Sequence, residues 1–412
     1  MNEILVLNSG SSSLKFALYA AEDAPESNSV PALKALALHY SGHFSGIGTK
    51  EAAVSLKEVA ENGETRKSDD EALNACGLRA ADNHNDAITQ LMTWLESRDD
   101  AAPLKGIGHR VVHGGQRFRE AVVLSEDDVA ELETLSSLAP LHQPHCLAPV
   151  KLLMQRYPDV PQVASFDTAF HADQPWVAKQ FALPRELTQK GLIRYGFHGL
   201  SYDYINRTLP DVLPEDAARE RVIVAHLGNG ASLCAIHNGK SVASTMGFTA
   251  LEGLVMGTRS GTLDPGLVMH LIEQEGMSTQ EVSTLLYKKS GLLGVSGISS
   301  DMRELLKSDA PEAHEAIELY CYRIAREIGS LVAALGGLDQ LIFTAGIGEH
   351  AARVRERVAA QCAWLGVQLD SEANARDEQG IASAESRVGV WVIPTDEERV
   401  IASDCLTLLA SD

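Results

Sequence analysis

Cysteine is scarce and scattered: six residues, at positions 76, 146, 234, 321, 362 and 405, with no C-x-x-C pair among them. That spacing argues against zinc and offers no disulfide framework, which suits a reducing compartment. Long apolar runs are also lacking. No stretch approaches 18 uncharged apolar residues, so no bilayer span is expected. The chain opens with Glu3 and only four consecutive apolar residues, Ile4 to Leu7, before Asn8, so a secretory leader is not expected either. Positive charge is in short supply. Against 56 Asp and Glu stand 35 Lys and Arg, a net charge of −21. Such a surface repels phosphate backbones and anionic lipid, which disfavours nucleic acid and membrane as partners. A small anionic substrate stays admissible where arginines gather locally. The expected location is cytoplasmic. At 412 residues the chain has room for two domains, each with its own core.

What is present alternates between apolar runs and helical periodicities. Ile88, Leu91, Met92 and Leu95 fall on one helical face after Asn85. Ser125 followed by Asp128 marks a capped helix start, and a long helix is expected from about Glu312 to Leu335, ended by Gly336. "LKGIGHRVVHGG" reads as a strand ending at Gly114-Gly115, "QVASFDTAFH" as a buried strand ending in polar residues, strands flank "HLGNG", and "AGIGEH" joins a strand to a helix. The class is therefore α/β, with hairpins that exclude a purely parallel sheet. Residues 20–81 read as peripheral strands and solvated loops. One internal echo stands out. Displaced by 219 positions (232 minus 13), "ILVLNSGSSSLKFAL" overlies "IVAHLGNGASLCAI", with Ser13 on Ser232 and Leu14 on Leu233. If the echo is genuine, the chain consists of two similar halves facing a cleft.

Small-residue turns admit anions, because backbone N–H groups approach closely and Ser adds donors. The turn "NSGSSS" (Asn8 to Ser13) leads directly to Lys15; it is either a phosphate-holding turn or a plain hairpin loop. "NGKS" is not a P-loop end, since Cys234 stands where glycine is required. "AGIGEHA" fits a dinucleotide fingerprint with Gly346, Gly348, Ala351 and Asp370, but leaves room for barely one βαβ unit; such a turn serves a nucleotide equally well. Arg110 and Arg259, each set among glycines and apolar residues, are anion clamps or buried ion pairs. Asp167, at a strand end, is a catalytic, metal-linked or capping group. His198 lies in a charge-poor turn, as a site residue or a satisfied core histidine. Glu397 and Glu398 open the last helix, where the helix dipole alone would favour them. His109 and His113 are too far apart along a strand, about 13 Å at about 3.3 Å per residue, to share a metal.

Taken in order, "LVLNSGSSSLKF", "GHRVVHGG", "FDTAFH", "YGFHGLSY", "HLGNGASL", "TMGFTALEGLVMGTRSGTLDPG", "SGISSDMREL", "FTAGIGEH" and "PTDEERVIA" resemble the acetate kinase family, the acetate/propionate kinases. The resemblance runs from the first strand to the last helix and is weak only over 20–81. It implies two duplicated α/β domains of the actin-like, ribonuclease-H-like superfold with ATP in a central cleft. The domains would be 1–168 plus 396–412 and 169–395. It further implies ATP/ADP, Mg²⁺ (Mn²⁺ as a substitute) and a homodimer. Position by position, Asn8 and Glu397 resemble the metal-linked pair, and Lys15 a phosphate contact. Arg110, Asp167, His198 and Arg259 resemble the catalytic set. Val112, Leu141, His142, Phe197 and Ala250, with Arg110, resemble the carboxylate pocket. His226, Leu227, Gly228, Asn229 and Gly230, then Asp301, Met302 and Arg303, then Gly346, Ile347, Gly348, Glu349 and His350 resemble the nucleotide segments. Departures occur at Gln143, His145, Thr262, His350 and Asp396. Ala250 stands at an often-proline position of the acyl wall, which suggests that propionate is accepted beside acetate. The rival readings are a propionate- or butyrate-preferring kinase and an actin- or chaperone-like ATPase.

Overall fold

Apolar β-branched and aromatic residues in short runs, separated by Gly, Ser and Asn, build two sheets rather than one. The computed structural model describes residues 2–21, 33, 36–60, 63–140, 142–213 and 215–410. The chain divides into two compact units, Met1–Ala169 with Asp396–Asp412, and Phe170–Thr395.

Among the described residues the first unit holds eight strands: β1 Asn2–Ser9, β2 Leu14–Ala21, β3 Leu38–Ser45, β4 Ala53–Val59, β5 Thr65–Lys67, β6 Leu104–Val111, β7 Val122–Val123 and β8 Gln162–Phe166. Their order is β5-β4-β3-β2-β1-β6-β8-β7. The hairpin of β1 and β2 pairs Asn8 with Lys15 and Ser9 with Leu14. The turn proper is thus Gly10 to Ser13, and Asn8 and Ser9 belong to the strand. β1 runs parallel to β6, and β6 to β8. One face of the sheet packs Phe16 and Phe44 against the helix His84–Ser97, whose Trp94 ring lies 5.7 Å from Phe16. Burying each such side chain is worth about 1.5–3 kcal/mol. Segment 20–81 adds Phe44, Leu56, Leu73 and Leu78 to this core, so it is more than a wet periphery. The other face receives the last helix, Glu397–Leu409. Gly106 and Gly108 permit its approach: a Cβ at Gly108 would lie 2.5 Å from Ile401, and one at Gly106 would lie 2.4 Å from Leu409.

The second unit holds β9 Val222–Leu227, β10 Ala231–His237, β11 Lys240–Ser244, β12 Gln340–Thr344 and β13 Gly389–Val392, in the order β11-β10-β9-β12-β13. Two antiparallel pairings are followed by two parallel ones. β3-β2-β1-β6-β8 repeats this order and these directions, so the internal echo is a duplicated topology. The overlay is not residue for residue. Ser13 sits in its turn, whereas Ser232 lies inside β10, because the second hairpin turns in three residues, Gly228 to Gly230. The helix Pro311–Leu335 buries Ile317, Tyr320, Ile324, Ile328 and Leu331 and ends at left-handed Gly336. Among the described residues no helix is long and apolar enough to cross a membrane.

Candidate active site

Parallel strands bring their C-terminal ends together: in the first unit Asn8 and Arg110 are the last residues but one of β1 and β6, and Asp167 directly follows β8. Asp167 follows the last residue of β8, and its N–H donates to the Val111 carbonyl at 3.1 Å. Its carboxylate, only 2% exposed, accepts from Arg110 Nε at 2.8 Å and Nη2 at 2.6 Å. Of the two readings open for Arg110, the ion pair is the one observed. A third nitrogen, Nη1, donates to Asn8 Oδ1 at 3.1 Å. Asn8 Nδ2 then donates to Glu397 at 3.3 Å and Glu398 at 3.1 Å. Glu397 lies 3.9 Å from Arg110 Nε.

Burial pushes the Glu397 carboxyl upward and the Arg110 charge opposes that push; the carboxylates in turn hold the Arg110 guanidinium well above its ordinary value. Three carboxyl groups, Asp167, Glu397 and Glu398, stand with two cations, Arg110 and Lys15, so oxygen donors outnumber the positive charges. Among the described residues no three His, Cys, Asp or Glu groups form a metal cage. Mg²⁺ needs none: it takes one or two carboxylates and keeps its waters. The donor set therefore fits a hydrated divalent ion. Lys15, exposed and opposite Asn8 in the ladder, adds a cation beside the serine turn. The resemblance assigns no role to Glu398, which here accepts from Asn8 beside Glu397.

In the second unit His198 stands at the start of the helix Gly199–Val212 in a left-handed conformation (φ 58°). A non-glycine residue there costs about 1–2 kcal/mol, and such strain tends to gather at functional sites. Its Nδ1 shares a hydrogen with Ser232 Oγ at 2.8 Å, and the Ser232 hydroxyl also meets Tyr202 OH. His226 stacks on His198, centroids 4.2 Å apart, and its Nδ1 pairs with Ser201 Oγ at 2.8 Å. Arg259 donates from Nη1 to the Ala250 carbonyl at 2.8 Å. A Cβ placed on Gly230 would lie 3.4 Å from His198 Nε2 and 3.7 Å from Arg259 Nη2. Histidine and arginine thus converge on one backbone position of the "HLGNG" turn. Ser232, two residues beyond that turn, completes the array, a role the motif alone did not reveal.

The nucleotide-like segments also lie in this unit. Ala345 opens the short helix Ala345–His350 at φ 63°, Gly346 faces open space, and Gly348 packs against β9 and β12. Ile347 is partly buried, and His350 lies on the surface, 3.8 Å from Glu349. Glu349 accepts from Thr395 N at 3.3 Å. Asp301 caps the helix Met302–Lys307 and pairs with Arg303, which holds its carboxyl below the usual range. Gly228 N donates to the Gly230 carbonyl, and Asn229 O accepts from Gly257 N, which fixes the turn.

Several predicted contacts are packing residues by position. Leu227 is 0% exposed and Met302 2%, so their side chains hold these loops from beneath. Val112 and Phe197 are likewise buried, in separate units, and offer a substrate little side-chain surface. His142 is half-buried at the start of the helix Gln143–Arg156, Ala250 is half-buried beside Arg259, and Leu141 lies outside the described residues. Gln143 is fully buried and bonds the His113 backbone at both its N–H and its carbonyl, which gives that departure from the motif a structural task.

The chain is similar to known proteins over nearly its whole length. A model of the acetokinase family matches residues 3–403. The chain is 51% identical to an acetate kinase of Rhodopseudomonas palustris over 401 residues, covering 97% of this chain and 96% of that one. It is 44% identical to an acetate kinase of Nitrobacter hamburgensis, covering 99% and 96%. A solved propionate kinase from Francisella tularensis superposes with a TM-score of 0.86 at 36% identity, covering 98% and 99%. Porphyromonas gingivalis acetate kinase superposes at 0.82 with 37% identity, covering 99% and 100%.

Proposed function

The chain belongs to the acetokinase family, and from that membership we propose that it moves the terminal phosphoryl group of ATP reversibly onto acetate, giving acetyl phosphate and ADP, with propionate as a second substrate. The observation that carries the assignment within the molecule is the Asn8–Arg110–Asp167–Glu397 network, joined to family membership over nearly the whole chain.

A carboxylate nucleophile is already charged at neutral pH, since its pKa lies near about 4–5. No base is needed to create it. The Asp167 carboxylate accepts from Arg110 with both oxygens, which favours a positioning role over proton removal. The obstacle is repulsion between two anions. Arg110, held in one orientation by Asp167 and Asn8, would steady the acid, with His142, Val112, Leu141, Phe197 and Ala250 shaping the acyl pocket. Arg259 and His198, which converge at Gly230, would meet the charge on the transferring group. Ser232 and Tyr202 would fix the imidazole so that Nε2 faces that group. Mg²⁺, or Mn²⁺ in its place, would be held by Glu397 and Asn8 through water, and when bound it neutralises phosphate charge. Lys15 would add a phosphate contact. The nucleotide would rest on His226 to Gly230, Asp301 to Arg303 and Gly346 to His350.

By the same reading residues 1–168 with 396–412 form one functional domain and 169–395 the nucleotide domain. The protein acts as a homodimer in the cytoplasm. The test is ADP release from MgATP with acetate, propionate and butyrate in parallel. Release that depends on the acid and favours acetate and propionate is expected. Release without any acid would instead favour an actin- or chaperone-like ATPase.

A further inference from the structure

An arginine with no exposed surface is rare, because a guanidinium leaves water only when most of its donors are met. Arg355, within the helix Ala352–Gln361, is 0% exposed. Its Nη1 donates to the carbonyls of Gly348 at 2.9 Å and Glu349 at 2.8 Å. Its Nε donates to Asn374 Oδ1 at 2.8 Å, and Nη2 to the Asn374 carbonyl at 2.7 Å and to Asp377. Nothing in the sequence marks it, since an arginine in "ARVRERV" reads as a solvated helix face.

The two carbonyls it takes belong to the last turn of the short helix Ala345–His350, where no intrahelical donor reaches them. The first residue of that helix, Ala345, sits in the left-handed region, a conformation its surroundings must hold. The turn is thus strained at one end and pinned by a buried cation at the other, while Gly346 between them faces open space. Asn374 Nδ2 also donates to the Ala352 carbonyl at 3.0 Å, so the clamp is tied back to the helix that carries Arg355.

We infer that Arg355 is the positioning residue of the nucleotide turn: it fixes the backbone of Ala345–His350 in the shape that receives ATP, without itself touching the ligand. The inference rests on the proposed phosphotransferase reading. Its loss raises KM for MgATP while KM for acetate stays unchanged, because Arg110, which would steady the carboxylate, belongs to the other unit and none of the bonds of Arg355 reaches Phe197 or Ala250.

The test first establishes acetate-dependent ADP release in wild type; its absence would overturn the functional reading itself, and this inference with it. Kinetics are then compared for Arg355→Met, Arg355→Lys and Asp377→Ala, with melting curves taken with and without ADP. Asp377 is 37% exposed, so its removal loosens the clamp from the outside even if Arg355→Met fails to fold. The expected rise in KM for MgATP is about tenfold for Arg355→Met and about threefold for Asp377→Ala, from the loss of charge-assisted bonds. Arg355→Lys, which can still reach the two carbonyls, should fall between wild type and Arg355→Met. The ADP-induced rise in melting temperature should shrink in the same order. Asp377→Ala with both KM values unchanged, or with both raised in parallel, would overturn the positioning role.

Discussion

Deleting Asp167 should expose how strongly it and Arg110 depend on each other. The carboxylate is 2% exposed and the guanidinium 20%, and two bonds of 2.8 and 2.6 Å join them. Removing one member of such a pair strands the other charge and costs about 3–5 kcal/mol. Arg110 keeps Asn8 Oδ1 at 3.1 Å and has Glu397 at 3.9 Å, so part of that loss is recaptured. The expected cost of Asp167→Ala is therefore at the low end, about 3 kcal/mol. A double-mutant cycle with Arg110→Ala, measured by urea titration, should give a coupling energy of about 2 kcal/mol. Asp167→Asn keeps the shape and loses the charge. If Asp167 positions Arg110, this variant lowers kcat/KM without changing the acid limb of its pH profile. Additivity within about 0.5 kcal/mol, or an acid limb that vanishes in Asp167→Asn, would refute the reasoning.

Gly230→Ala should fold like wild type, because its backbone is outside the left-handed region, yet lose about 10²-fold in kcat as the new methyl meets His198 Nε2 at 3.4 Å and Arg259 at 3.7 Å; full activity would show that nothing reacts at that position. Ala250→Pro should cut the propionate-to-acetate efficiency ratio about fourfold, the worth of one buried methylene at about 0.8 kcal/mol, and equal ratios would remove Ala250 from the acyl wall. His171 lies buried between Ser241 and the Phe197 carbonyl, and burial holds it neutral with a pKa of about 4. Its folded value lies below the unfolded one, so stability is complete above about pH 6.5 and is lost as pH falls toward 4, by about 3 kcal/mol in all. Denaturation midpoints across that window should fall less steeply in His171→Gln; an unchanged slope would contradict this.

Local signals transferred to the structure nearly unaltered. Ser125 and Asp128 form the capping box that their spacing suggests. The helix expected after Asn85 begins two residues earlier, at His84, because Asn83 supplies the cap. The glycine turns and strand ends fall close to where small residues interrupt apolar runs. What stayed hidden depends on contacts across long stretches of chain. Asp167, 57 residues from Arg110, claims a guanidinium whose local setting suits an anion clamp equally well. Ser232 reads as a strand serine until His198 is placed beside it. Segment 20–81 reads as solvent-facing because its few buried residues, such as Phe44 and Leu56, are diluted by charge. Motifs thus reveal which residues matter, while the partners that orient them emerge only when the sheet assembles.

The central claim, transfer of a phosphoryl group from ATP to a carboxylate oxygen, is met most directly by phosphorus NMR of wild type, Arg110→Ala and Arg259→Ala incubated with MgATP and acetate. The account predicts an acyl phosphate resonance that grows with ADP in wild type, reverses when excess ADP is added, and is lost in both variants. Inorganic phosphate as the sole new signal in wild type, or an acyl phosphate signal that survives both substitutions, would contradict it.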